Sequence, residues 1–477
     1  MFLRLSASLL AICTAACSTL PTPSVDPASA PAVIDAAWVE IGPANQILAR
    51  AITHFRGDSG AQCPQLIVDG TVTRMQLRAA PASLTLRTTA SDPRDSKASD
   101  FPVASCEASV VADAKSISVA GRALPLPKAN PQRIAVFGDT GCRLKKADNA
   151  WQACTDGDAW PFAKLAASVA RLNPDLVVHV GDYHYRENAC PPDVKGCQGS
   201  PWGYGWDTWN ADFFQPAATL LARAPWVMAR GNHEECQRGG QGWMRFLDPF
   251  PYAEERSCND PAKDDNANYS APYAVSLGSA SQLIVFDSAR STKTALKTTD
   301  RQFQIYQDQF RSVAALAAKP GLSTTMFTNH HPILAFTPIP GNNPVGGSAS
   351  LLSVMSSLNA QAYYPNGIDV ALHGHVHDFQ AVTFASGQPA AIVSGTGGDN
   401  LDVNLPDPMP AGAVPAAGAI VEHLAHHASF GFVMMEPRQP VGSGWIFKAY
   451  SVDGKLMATC LQSGRKLACD KEGLLTP

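Results

Sequence analysis

Six apolar runs of strand length, each followed by polar residues, constrain this chain more than any other feature. They are Arg133 to Phe137 before Gly138-Asp139, Asp175 to Val180 before Gly181-Asp182, Trp226 to Ala229 before Arg230-Gly231-Asn232-His233, Gln282 to Phe286, Thr324 to Phe327 before Asn329-His330-His331, and Ile368 to Leu372 before His373-Gly374-His375. Uninterrupted apolar runs read as strands buried on both faces. Helix-like stretches at Pro161 to Leu172 and Arg301 to Ala318 lie between several of them. This alternation predicts a layered α/β domain, in which ligands bind at the loops after the carboxyl ends of the strands. With 45% hydrophobic and 16% charged residues the chain is not largely disordered. Its 37 basic against 41 acidic side chains argue against a nucleic-acid binder that relies on a basic field.

The remaining segments have different patterns. Residues 1–17 have the three parts of an export signal: Arg4, an apolar stretch from Leu5 to Ile12, and small residues before Cys17. Thr14-Ala15-Ala16-Cys17 resembles a bacterial lipobox, with Thr14 where an aliphatic residue is preferred, so Cys17 is expected to carry a lipid anchor; ordinary cleavage beside an incidental cysteine is the alternative. The expected location is then the periplasm or the outer membrane, with no transmembrane helix in the mature protein. Residues 18–37 read as a Pro/Ser/Ala-rich tether, 38–127 as a small all-β, sandwich-like domain of short alternating runs, and 131–477 as the layered α/β domain. Ten cysteines remain beyond Cys13 and Cys17, an even number suited to disulfides in an exported protein. They fall into sequential pairs: Cys63 with Cys106, Cys142 with Cys154, Cys190 with Cys197, Cys236 with Cys258, and Cys460 with Cys469. Two Pro/Gly/Ala-rich stretches, Thr337 to Gly347 and Leu405 to Gly418, read as long loops that overhang a site or as surface insertions.

Seven of the twelve histidines follow predicted strands, beside Asp, Asn or Tyr. Five strand ends carry Gly138-Asp139-Thr140-Gly141, Gly181-Asp182-Tyr183-His184-Tyr185, Gly231-Asn232-His233-Glu234, His330-His331-Pro332 and Gly374-His375-Val376-His377. In this order they resemble the calcineurin-like metallophosphoesterases, and more closely the purple acid phosphatase branch. The resemblance covers roughly Arg133 to Gln380 and implies a layered αββα domain. Two departures from the wider superfamily place the chain. Gly141 stands where most members have a histidine ligand, and Tyr185 stands where purple acid phosphatases have a tyrosinate. A phenol with a pKa near 10 needs a strong Lewis acid such as Fe(III) to stay deprotonated at acidic to neutral pH.

Carried over residue by residue, the resemblance implies that Asp139, Asp182, Tyr185 and His377 hold an iron-like metal. Asp182 would bridge to a second, divalent metal (Zn, Mn or Fe(II)) held also by Asn232, His330 and His375. The implied reaction is hydrolysis of a phosphate monoester by in-line attack of a metal-bound hydroxide. His233, protonated near pH 5 to 6, would contact the phosphate or protonate the leaving oxygen. Asn232, His184, His331 and His373 are the remaining candidate substrate contacts, with His184 and His373 alternatively hydrogen-bonding to the ligands from behind. His423, His426 and His427 form an i, i+3, i+4 set, read as a site-lining loop or a solvated histidine-rich turn. The aromatic segment Trp202 to Trp209 reads as a stacking surface or a packed insert. An exported phosphodiesterase or nucleotidase is the nearest alternative function. A surface-anchored binding module with an inactive phosphatase domain is the alternative from another class.

Overall fold

A computed structural model describes residues 33–54, 63–88 and 91–470; the export signal, Cys17 and most of the tether lie outside them. Residues 33–37, expected to end the tether, instead open the first strand, Val33–Ile41.

Two large sheets form the centre of the molecule. One has eleven strands, with Ile134–Phe137, Leu176–His179 and Trp226–Met228 running parallel at its middle. The other has seven, four of them parallel: Ser281–Val285, Thr324–Thr328, Val370–His373 and Ala390–Ser394. Alternation along single strands explains the layering. Ile134 and Val136 face the inter-sheet core with Val178, Val227, Leu283, Met326, Leu372 and Ile392. Ala135 and Phe137 face the opposite way, toward the helices. Burial on both faces is what the uninterrupted apolar runs predicted, at about 1.5–3 kcal/mol per large side chain removed from water.

A helix layer covers each outer face. Phe162–Arg171 buries Phe162, Leu165, Ala166 and Val169, at the i, i+3, i+4, i+7 positions of one helical stripe. Arg301–Ala317 buries Phe303, Tyr306, Phe310 and Val313 on the other sheet. The order is therefore helices, sheet, sheet, helices. Trp206 and Trp209 lie in the first helical core, so the aromatic segment is a packed insert.

The N-terminal all-β region is joined to this frame through the larger sheet. Val33–Ile41 pairs in parallel with Trp226–Met228 and then antiparallel with Ile47–His54, which leads on to Val103–Val110 and Gln76–Ala79. A separate four-stranded sheet packs on this extension through Leu66, Ile117 and Val119 against Val39, Ala51 and Ala104, giving the sandwich. The run Thr71 to Leu77 reads as one strand in sequence but divides between the sheets at buried Met75.

All five expected cysteine pairs are disulfides. The histidines 423, 426 and 427 correct the sequence reading: they lie on the strand Val421–His427, paired with Phe379–Phe384, and not on a loop or turn. The stretch 337–347 is likewise not a plain loop, since Thr337–Ile339 and Asn342–Val345 form a hairpin.

Candidate metal centre

The polar motifs converge because the strands that end in them are neighbours. Three leave the middle of the larger sheet and two the middle of the smaller one. The turns are tight and strained. Asp139, Asp182 and His375 hold φ values of 58°, 58° and 69°, a left-handed conformation that costs an ordinary residue about 1–3 kcal/mol. Asp139 N–H donates to Gly181 O at 2.9 Å and Thr140 N–H to Asp182 O at 3.0 Å, which locks the first two turns together. The Glu234 carboxylate accepts from the backbone N–H groups of Asp182, Tyr183, His184 and Gly231 at 2.8–3.3 Å, which ties the second turn to the third. Gly231 is required there because a Cβ would run into Asp182.

Asp139 and Asp182 face each other across the Tyr185 hydroxyl, which lies 2.9 Å from a carboxylate oxygen of each and 3.1 Å from His377 Nε2. His377 Nε2 is 3.2 Å from Asp139 Oδ1. The Asp182 Oδ2 that faces Tyr185 also lies 3.0 Å from His330 Nε2, and His375 Nδ1 lies 3.0 Å from Asn232 Oδ1. The seven residues expected as ligands are thus brought together in two groups that share Asp182. Gly141 packs against the backbone of Tyr183 and Tyr185 and the Asp212 carboxylate, so a side chain there has no room.

The donor set fits cations. Ligand atoms of Asp182, His330 and His375 lie within 4.8 Å of one another. His330 donates its other nitrogen, Nδ1, to Val180 O at 3.0 Å, which aims the buried Nε2 at Asp182 Oδ2. The protonation pattern reports the same demand for positive charge. Burial alone would lower both histidines, but Asp182 and Asp139 push His330 up to about 9, and Asp399 and Asp139 push His377 up to about 10. Burial also favours the neutral form of Asp182, yet the His330 and His233 rings hold its carboxyl well below the usual range. Tyr185 is held far above the ordinary phenol value by burial and by the charges of Asp139 and Asp182. A bound cation reverses that last sign, because it replaces two repelling carboxylates with an attracting charge.

A family model described as calcineurin-like phosphoesterase matches residues 132–379, just over half of the chain and the whole span of the five motifs. The chain belongs to this family. No curated protein matches it significantly. Among solved structures it is similar to a purple acid phosphatase from yellow lupin (Lupinus luteus) seeds, with a TM-score of 0.52 and 14% identity over 88% of this chain and 72% of that one. It is also similar to PhoD, with a TM-score of 0.48 and 10% identity over 91% of each chain. The lupin likeness shows a shared fold. The phosphoesterase fold binds two metal ions, and the Asp182, His330 and His375 cluster supplies donors for one of them.

His233 departs from its expected state. Its N–H donates to Asp182 Oδ1 at 2.8 Å, which places its ring, 3% exposed, beside the shared carboxylate. Burial and the adjacent Arg238 guanidinium, whose Nη2 lies 2.6 Å from Nδ1 and 2.5 Å from Nε2, push it down to about 3. The imidazolium expected at pH 5 to 6 is therefore not the resting state of this pocket. His184 is walled in by Tyr204 and Trp209, and His373 spends its two nitrogens on Tyr364 Oη and Asn329 O. Both rings are buried. His331 stays beside His375, with ring centroids 4.2 Å apart and Nδ1 3.1 Å from Ser288 Oγ.

The sequence reading assigned no role to four charged residues of the phosphoesterase, among them Asp399 of a glycine turn that resembles one the family has near its site. Glu187 and Arg238 form a buried pair against His233, and Arg143 and Asp399 form another against Tyr185 and His377. The first three lie close behind the motifs at Asp182, Asn232 and Asp139, where the only sequence signal was charge within a loop predicted to flank the site. Asp399 closes the Gly395-Thr396-Gly397-Gly398-Asp399 turn. Beyond His377, Asp402 accepts from the His377 N–H at 2.8 Å and leads into Val403, Asn404 and Pro406. With the 337–345 hairpin these line an open groove of about 680 Å³, which none of the expected ligands lines.

Proposed function

We propose that the phosphoesterase hydrolyses phosphate monoesters, with Fe(III) held by Asp139, Asp182, Tyr185 and His377 and a divalent ion (Zn, Mn or Fe(II)) held by Asp182, Asn232, His330 and His375. The observation that carries this reading is the Tyr185 oxygen, set between two buried carboxylates and a histidine at 2.9–3.1 Å. Carboxylate and phenolate suit a hard trivalent ion, and imidazole and amide oxygen suit a divalent one. When bound, the two ions supply the charge that clamps phosphoryl oxygens and lowers the pKa of water. The protein's own contribution is positioning. Asp182 presents its Oδ2 to both Tyr185 and His330, between the two groups, and fixes His233 by accepting its backbone N–H at Oδ1. A neutral His233 donates a ring N–H to a phosphoryl oxygen, so we assign it substrate contact rather than proton delivery from a resting imidazolium. Arg238 places a permanent charge beside it, and His331 lines the side of the pocket next to His375.

A diester is the second reading, supported by the open groove beyond Asp402, which has room for a further substituent. Turnover of p-nitrophenyl phosphate and bis(p-nitrophenyl) phosphate by the same metal-loaded sample separates them. The monoester should be preferred, and His375→Ala should abolish both activities; preference for the diester overturns the monoester assignment. Five disulfides fit an oxidising compartment. No helix among the described residues is long and apolar enough to cross a membrane. We propose a periplasmic or outer-membrane lipoprotein anchored through Cys17, which palmitate labelling of the wild type and of Cys17→Ser tests.

A further inference from the structure

We propose that Arg143 is a positioning residue that tunes Tyr185 as a metal ligand, and that Asp399 is the anchor coupling it to His377. This rests on the reading of Tyr185 as a ligand of Fe(III).

Arg143 follows Cys142, whose disulfide to Cys154 holds the loop after Asp139. Its guanidinium carbon lies 4.9 Å from the centroid of the Tyr185 ring. The group is held in place through all three of its nitrogens. Nε donates to both Asp399 oxygens at 3.0 Å, Nη2 to Asp399 Oδ2 at 2.5 Å, and Nη1 to Asp148 Oδ2 at 2.9 Å. Asp399 is fully buried, and its N–H donates to Asp139 O at 2.9 Å. Its Oδ2 lies 3.6 Å from His377 Nδ1, which donates to Asn400 O at 2.7 Å and so aims Nε2 at the Tyr185 oxygen. One unit thus backs Asp139, Tyr185 and His377 together.

A guanidinium over a ring face stabilises its filled π orbitals, and a phenolate is richer in electrons than a phenol. The guanidinium stands over the ring itself, where those donor orbitals are. Arg143 therefore lowers the donor levels of the tyrosinate more than the acceptor levels of the metal, which widens the gap between them. A packing role alone would leave that gap unchanged.

The test is the visible spectrum and metal content of the iron-loaded protein, compared for wild type, Arg143→Met, Arg143→Lys and Asp399→Asn. Arg143→Met, which removes the charge and keeps the length, should move the tyrosinate-to-iron band about 10–40 nm to longer wavelength at unchanged iron content. Arg143→Lys, which keeps the charge but loses the flat stacking group, should move it the same way by less, and Asp399→Asn, which loosens the guanidinium but also removes a negative charge beside the ring, should move it less than Arg143→Met. Should Arg143→Met fail to retain iron, Arg143→Lys decides the matter, and a band unmoved in it overturns the proposal. A band unmoved in iron-replete Arg143→Met also overturns it. A wild-type protein that binds iron yet shows no visible band is a different result: it removes Tyr185 from the metal and overturns the reading beneath.

Discussion

Adding two metal ions to the metal-free phosphoesterase at pH 7 should release at least two protons. His330 and His377 are pushed up to about 9 and about 10 by neighbouring carboxylates, so both are imidazolium at neutral pH and occupy the places where cations would sit. Ligation needs the neutral ring. Each pKa unit above the working pH costs about 1.4 kcal/mol, so stripping two units from one ring and three from the other costs about 7 kcal/mol at pH 7. The apparent affinity for the metal pair should therefore rise about 100-fold per pH unit between pH 6 and 9. If the first ion is Fe(III), Tyr185 adds a third proton. Calorimetric titration in buffers of different ionisation heat counts these protons directly. Release of fewer than one proton per chain, or an affinity flat from pH 6 to 8, would refute the reasoning. The metal-free protein should show the linked effect. Both histidines have raised folded-state pKa values, so their stabilisation is full below pH 6.5 and lost as pH rises through 9 and 10.

Glu234→Ala leaves the backbone N–H groups of four residues without their acceptor, and should lower stability by about 3 kcal/mol or more and abolish metal retention, read by thermal unfolding with metal analysis. Glu40, fully buried beside Arg50, is raised to about 7 by burial; the folded state then holds a proton the unfolded chain releases, and stability falls as pH rises from 4.5 through 7. Glu40→Gln should remove about 3 kcal/mol of that decline, so its urea midpoint should gain on the wild type at pH 8 and match it near pH 4.5. Replacing Cys142 and Cys154 together by serine opens a loop with a sequence separation of 12, and should cost about 3 kcal/mol in denaturant unfolding.

The parts of this protein that were legible in sequence are those set by local pattern. The strand Ile134–Phe137 could be read because every residue in it is apolar, and a strand buried on both faces needs that. The proposed ligands could be picked out because each follows such a strand within a few residues. What stayed hidden depends on pairing across the chain. The parallel contact between Val33–Ile41 and Trp226–Met228, which extends the catalytic sheet into the N-terminal region, leaves no mark on either segment alone. Asp399 reaches Arg143 across 256 positions, and Arg238 reaches Glu187 across 51. The protonation of His233 was misjudged for the same reason, since burial and Arg238 set it, and neither can be read from an Asn-His-Glu motif. The Val421–His427 histidines show the converse error: i, i+3, i+4 spacing has helical meaning only where the backbone is helical, and here it is an edge strand.

The most direct test is a crystal structure of the metal-loaded protein, with anomalous maps recorded on both sides of the iron edge. The account expects two metal peaks about 3.5–4 Å apart, bridged by Asp182. The iron should be bonded to Tyr185 with Asp139 and His377, and the second ion should lie among Asn232, His330 and His375. A single peak, or an iron-containing site from which the Tyr185 oxygen stands clear, would contradict it.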